Sequence, residues 1–138
     1  MAGTIVAGAA VYFGSQQTGL APVRDTQDAN QTGAIVAVNV PDTLSANAMI
    51  GKTAYQVKCA TCHGENAAGK DGKAPPLVHK IYEPSHHGDE AFQRAAAIGV
   101  RSHHWPFGNM PPVDGLTRAD VSMIVVYVRE LQRSNGIN

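Results

Sequence analysis

The chain has 138 residues, eleven basic and eleven acidic, with a formal net charge of zero. That length suits one domain with a tail, since single domains commonly run about 100–150 residues. The balanced charge gives no bulk attraction to nucleic acid or to an anionic membrane, though a locally charged docking face stays open.

Residues 1–14 are uncharged and apolar after the initiator. A bilayer span takes about 17–25 residues, so the stretch is too short to cross one. It also lacks the positively charged leader of a secretory signal. It reads either as a surface segment or as the distal half of a signal or membrane anchor. Residues 15–45 shift to Gln, Thr, Asn, Asp, Gly and Pro, the chemistry of a linker. Within it, the β-branched run from Ala34 to Val40 is bounded by Gly33 and Pro41, and it is expected as an extended strip laid on the domain rather than a lone strand.

The domain is expected over 46–138. Ser45 is a plausible N-cap, and Ala46 to Lys58 are mostly good helix formers. Gly51 in mid-helix costs about 1 kcal/mol against Ala, which calls for a reason. Close approach of another helix is the physical one; a tolerated surface glycine is the alternative.

Next come Cys59-Ala60-Thr61-Cys62-His63, which hold both cysteines of the chain. The spacing C-x-x-C-H reads as a covalent haem attachment site. Two thiols one turn apart add to two vinyl groups, and the adjacent imidazole meets the iron from one face. Thioredoxin-type pairs and zinc sites share a bare C-x-x-C, but a zinc reading would have to recruit distant histidines. The run from Gly51 through Tyr55 and Cys59 to Gly64 resembles the opening of a class I c-type cytochrome, with glycine, aromatic and first cysteine four residues apart. The resemblance covers about residues 46–133. It implies an all-α cytochrome c fold, three to four helices around one covalent haem c with an extended N-terminal arm. It also implies export to the bacterial periplasm or the periplasmic face of the inner membrane, which favours reading residues 1–14 as the distal half of a signal or membrane anchor.

After His63 a turn-rich loop ends in Ala74-Pro75-Pro76-Leu77. Pro75 lacks an amide donor but keeps its carbonyl. The resemblance implies that this carbonyl accepts a bond from the His63 imidazole, and a plain rigid turn is the other reading. Leu77 joins the expected haem-contacting set. His79, His86 and His87 follow, then His103 and His104. They read as solvated loop residues or, less directly, as a second metal site or a propionate contact. Residues 89–97 read as a short helix that buries Phe92, Ala95, Ala96 and Ile98.

Of four methionines, Met110 alone is held in a loop, with Gly108 before it and Pro111 and Pro112 after it. It stands 47 residues after His63, room enough for the chain to pass around a haem. The resemblance makes Met110 the second axial ligand, with His103 or His104 as the fallback and an open iron as the remainder. Trp105 and Arg101 carry only donors and are candidates for bonding the propionates; packing and solvated surface are their plain alternatives. Thr117 to Asp120 fits a capping-box variant that opens a final helix. Val121, Ile124, Val125, Val128 and Leu131 form its apolar stripe, and the resemblance sets Tyr127 near Gly51 and Tyr55.

The expected function is one-electron transfer between a redox-protein donor and acceptor, as in a respiratory chain. The expected protein is a monomer and an electron carrier, not an enzyme. The rivals are a haem subunit of a redox enzyme complex, or a haem ligand sensor if Met110 does not hold the iron.

Overall fold

The computed structural model describes Gly3 and residues 33–138. The expectations for the apolar segment and for the linker as far as residue 32 therefore lie outside the described residues. Four helices follow in chain order: α1 (Ala46–Lys58), α2 (Ala60–His63), α3 (Asp89–Ile98) and α4 (Arg118–Ser134). Among the described residues there is no strand, and the β-type pairings are two isolated antiparallel bridges, Lys70 with Ala74 and Val100 with Met110. The fold is all-α, as expected.

Local chemistry sets the helix ends. The Ser45 hydroxyl accepts from the Ala48 amide and starts α1. At α4 the Thr117 and Asp120 side chains each take the other's backbone amide, closing a capping box. Each such cap is worth about 1 kcal/mol because it satisfies an amide that has no partner inside the helix.

α1 and α4 cross to make the core, in which Ala48, Tyr55, Val128 and Leu131 are fully buried. Gly51 is the crossing point. A Cβ there would overlap the Met123 carbonyl oxygen of α4, so the packing account of this glycine holds. The stripe of α4 is buried at Val121, Ile124, Val125, Val128 and Leu131.

The run from Ala34 to Val40 is a strip, not a strand. Its Ile35 and Val36 amides both donate to the Ala68 carbonyl at 3.1 Å. Farther along, Asn39 and Asn135 pair reciprocally, each donating to the other at 2.9 Å. Val38, Val40 and Leu44 pack on the core. The strip ends at α1, where the Ser45 amide donates to the Glu130 carboxylate of α4.

Helix α3 departs from expectation at one residue: Ile98 is 74% exposed. At 100° per residue it stands about 120° away from Phe92, off the face that Phe92, Ala95 and Ala96 share. Gln93 is buried in its place, its amide donating to the Arg118 carbonyl and the Ser122 hydroxyl of α4.

Candidate functional site

Cys59 is at once the C-cap of α1 and the residue from which α2 starts. The His63 amide donates to the Cys59 carbonyl at 2.9 Å, so one helical turn fixes Cys59, Cys62 and His63 relative to one another. Both thiols are free, Cys62 exposed and Cys59 partly buried. Burial, and then the neighbouring Cys62, push the Cys59 thiol up to about 11. Cys59 is thus a thiol near neutrality, unlike an activated redox cysteine.

The chain then turns sharply. Asn66 and Ala67 adopt positive φ, 51° and 61°, which non-glycine residues rarely take. Two tyrosines hold them there. The Tyr55 hydroxyl donates to the Gly64 carbonyl at 2.9 Å, and the Tyr127 hydroxyl donates to the Asn66 side-chain oxygen at 3.1 Å. The two rings, one from α1 and one from α4, lie 5.6 Å apart within the core. Burial raises both phenols far enough to keep them protonated donors. The turned loop presents the Ala67 carbonyl to the Leu77 and Val78 amides at 2.9 and 3.2 Å, which brings Pro75 beside His63.

The His63 Nδ1 lies 2.9 Å from the Pro75 carbonyl oxygen. A carbonyl can only accept, so Nδ1 carries the hydrogen and Nε2 keeps its lone pair. His63 is 9% exposed, and desolvation lowers its pKa, against a smaller opposing effect of the Pro75 bond. A neutral, oriented imidazole is what a metal requires of a histidine.

The opposite wall of the same cleft is the loop 100–110. It is closed by the Val100 and Met110 backbones, which exchange two hydrogen bonds at 2.9 Å. Gly99, at φ +77°, permits the closure, because a Cβ there would overlap the Met110 carbonyl oxygen. Inside the loop the Ser102 hydroxyl donates to the Trp105 carbonyl, and the Trp105 and Phe107 rings stack at 5.9 Å. Cys59, Cys62, His63 and Met110 all line this cleft, together with Pro75, Leu77, Phe92 and Trp105.

Arg101 is exposed and does not line the cleft; its carbonyl accepts from His103 instead. Trp105 does line it, and its indole Nε1 is a buried donor with no hydrogen-bond partner among the described residues. The Tyr82 phenol is near enough to feel this donor, but burial dominates and pushes it up to about 12. An unmet buried donor in native structure calls for an acceptor, and a haem carboxylate entering the cleft would provide one. Together with an imidazole and a thioether facing one apolar space, the residues fit a haem.

Two supports escaped the sequence reading. Arg129 is buried, with its guanidinium 5.0 Å from the centre of the Phe92 ring. It donates to the Tyr82 and His87 carbonyls at 2.6 Å each and to Asp89 at 3.0 Å. Gln132, fully buried, donates to the Leu77 and Tyr82 carbonyls at 2.8 and 3.0 Å. Between them they fasten segment 77–87, one side of the cleft, to α4. Their three-residue spacing beside the apolar stripe was the available signal.

The histidines lie in loops, with His86, His103 and His104 exposed. The Nδ1 atoms of His86 and His87 both face the Ile81 carbonyl, at 2.9 and 2.6 Å. His103 and His104 meet them from the other loop, with ring centroids 5.2–5.8 Å apart across the two segments. His79 has a structural place, accepting from the Ile81 amide and packing edge-on against Trp105.

The profile of the family described as Cytochrome c matches residues 48–132. A curated relative, the Cbb3-type cytochrome c oxidase subunit CcoP of Azospirillum brasilense, is 47% identical over 49 residues. That match takes in 32% of this chain and spans only 17% of the relative's length.

Proposed function

The chain belongs to the cytochrome c family, and from that premise we propose that it binds one haem c through Cys59 and Cys62 and relays single electrons between redox proteins. Each thiol adds its S–H across one vinyl double bond to give a thioether, with no atom lost. His63 and Met110 would hold the haem iron. When bound, the haem supplies a one-electron ferric/ferrous couple. A thioether from Met110 together with the His63 imidazole would raise its potential. With Met110 as a ligand, oxygen and peroxide would find no open place on the iron. Trp105 would donate to a propionate, and Leu77 and Phe92 would keep water from the cleft. The apolar walls favour the less charged ferrous state.

The observation that carries this reading is the His63–Pro75 bond, which leaves Nε2 unprotonated in a cleft that Met110 also lines. The protein works in the bacterial periplasm or at the periplasmic face of the inner membrane, because attachment to this motif follows export. No helix among the described residues is long and apolar enough to cross a membrane, and a tether would come from an N-terminal anchor of which segment 1–14 is the distal part. The likeness to an oxidase subunit favours a second reading, a haem subunit of a redox complex, which would appear as stable co-purification with a larger partner.

Met110→Ala tests the ligand set. The variant should keep its covalent haem by intact mass, lose the sulfur-to-iron charge-transfer band, show a lower midpoint potential and bind carbon monoxide at neutral pH. An unchanged potential without carbon monoxide binding would remove Met110 from the role. A bare-polypeptide mass for the parent, made in a host that attaches haem, would overturn the whole reading.

A further inference from the structure

We propose that His86, His87 and His104 form a second metal site at the rim of the cleft, for a divalent first-row transition ion of the zinc or copper kind. The ligands come from two segments of the chain. His86 and His87 end the turn after Lys80–Tyr82, and His104 lies in the loop that leads to Met110. One ring nitrogen from each of the three lies within 4.8 Å of the others.

Orientation makes the cluster more than proximity. The Ile81 carbonyl oxygen accepts from Nδ1 of both His86 and His87. Each ring therefore keeps its hydrogen on Nδ1 and leaves Nε2 as a free donor of electrons. A backbone carbonyl behind the ligand ring is the arrangement that fixes the tautomer in metal-binding histidines. His103 follows the same rule, donating from Nδ1 to the Arg101 carbonyl at 2.8 Å. Its ring lies 4.3 Å from that of His104, beside the three-residue cluster.

No hydrogen bond joins these four rings to one another, so mutual bonding does not account for their gathering. The segment carrying His86 and His87 is held from behind, since Arg129 donates to the Tyr82 and His87 carbonyls. Neutral imidazoles select zinc, copper or nickel over magnesium and calcium, which demand oxygen ligands. Two nitrogens on a tetrahedral zinc ion, with bonds of about 2.0–2.1 Å, stand about 3.3 Å apart. Closing from 4.8 Å or less needs only small side-chain rotations, and His86 and His104 are exposed enough to make them. Filling the site would join the two segments at the cleft mouth. The inference rests on the proposed function in one respect: Met110, and not the fallback His104, holds the haem iron.

The test uses haem-loaded protein stripped by chelator and titrated with Zn²⁺ in a calorimeter. The expected result is one saturable Zn²⁺ per chain at micromolar concentration or below. In His86→Ala/His104→Ala the affinity should fall at least about tenfold, while His79→Ala binds as the parent does. His104→Gln alone serves if the double variant loses the parent's haem spectrum. The Cu²⁺ adduct should show nitrogen superhyperfine structure from imidazoles in its electron paramagnetic resonance spectrum. No saturable binding, or binding unaltered in the histidine variants, would overturn the proposal.

Discussion

Gly51→Ala puts the helix crossing to a quantitative test. The added methyl would overlap the Met123 carbonyl oxygen and sit 3.0 Å from the Ile124 amide nitrogen. Both are backbone atoms, so no rotamer change relieves the clash and α4 itself must move. The residues around the crossing leave it no slack: Tyr55, Val128 and Leu131 are fully buried and Tyr127 is 1% exposed. Overpacking a close-packed site costs about 1–3 kcal/mol, and displacing a helix rather than a side-chain end belongs at the upper limit. Alanine's helix preference returns about 1 kcal/mol. The net loss is then about 2 kcal/mol, equivalent to a melting temperature lower by about 8–16 °C for a domain of this size. Thermal and guanidinium unfolding of the haem-loaded variant, followed by far-ultraviolet circular dichroism, measures it. A Gly51→Ala protein as stable as its parent would mean that α1 and α4 do not touch there.

Arg129→Met should cost about 2 kcal/mol or more, because buried carbonyls at Tyr82 and His87 lose a charged donor. Hydrogen exchange should quicken at the Glu83, His86 and His87 amides, and unchanged protection would deny Arg129 its anchoring role. Bonds from the Thr117 hydroxyl, and then its amide, hold the Asp120 carboxyl below its ordinary value of 3.8. In the unfolded chain Asp120 takes up its proton at higher pH than in the fold, so the cap is fully present above that value and is lost as pH falls through the folded pKa. Melting temperatures across the acid range should lose this component in Asp120→Asn, and an identical acid profile would refute it. Trp105→Phe removes the unpartnered indole donor. If Trp105 serves a propionate as proposed, the carboxylate left without that donor would stabilise ferric iron and the midpoint potential of the haem-loaded variant should fall; an unchanged potential would leave Trp105 as packing alone.

The features legible in the sequence are those written in short-range rules. Ser45 and the Thr117–Asp120 box announce helix starts because a cap acts over three residues. The α4 stripe follows the helical period, and Cys59 to His63 occupy a single turn. Gly51 was legible because a mid-helix glycine has a cost that only close approach explains. What stayed hidden depends on where distant segments meet. Ile98 faces outward because α3 is oriented by Gln93 reaching α4, a contact that pattern counting does not foresee. Arg129 and Gln132 are buried because they serve carbonyls some 42 to 55 residues earlier in the chain. The four histidines gather because the 100–110 loop closes on itself and swings His103 and His104 toward His86 and His87.

The two walls of the cleft are therefore built on different foundations. The wall of Cys59, Cys62 and His63 is one helical turn braced by two core tyrosines, and opening it would disrupt the α1–α4 crossing. The Met110 wall is tied to the rest by the Val100–Met110 backbone pair and by the Val113 amide bonded to the Ala96 carbonyl. Segments held by few backbone bonds open at a fraction of the global unfolding free energy. Local opening of the cleft thus begins at Met110 while His63 stays seated, so with the proposed ligand set any exchange of an iron ligand would take place on the methionine side. A metal clasp between His86, His87 and His104 would act on that looser wall, because the loop it grips is the one that carries Met110.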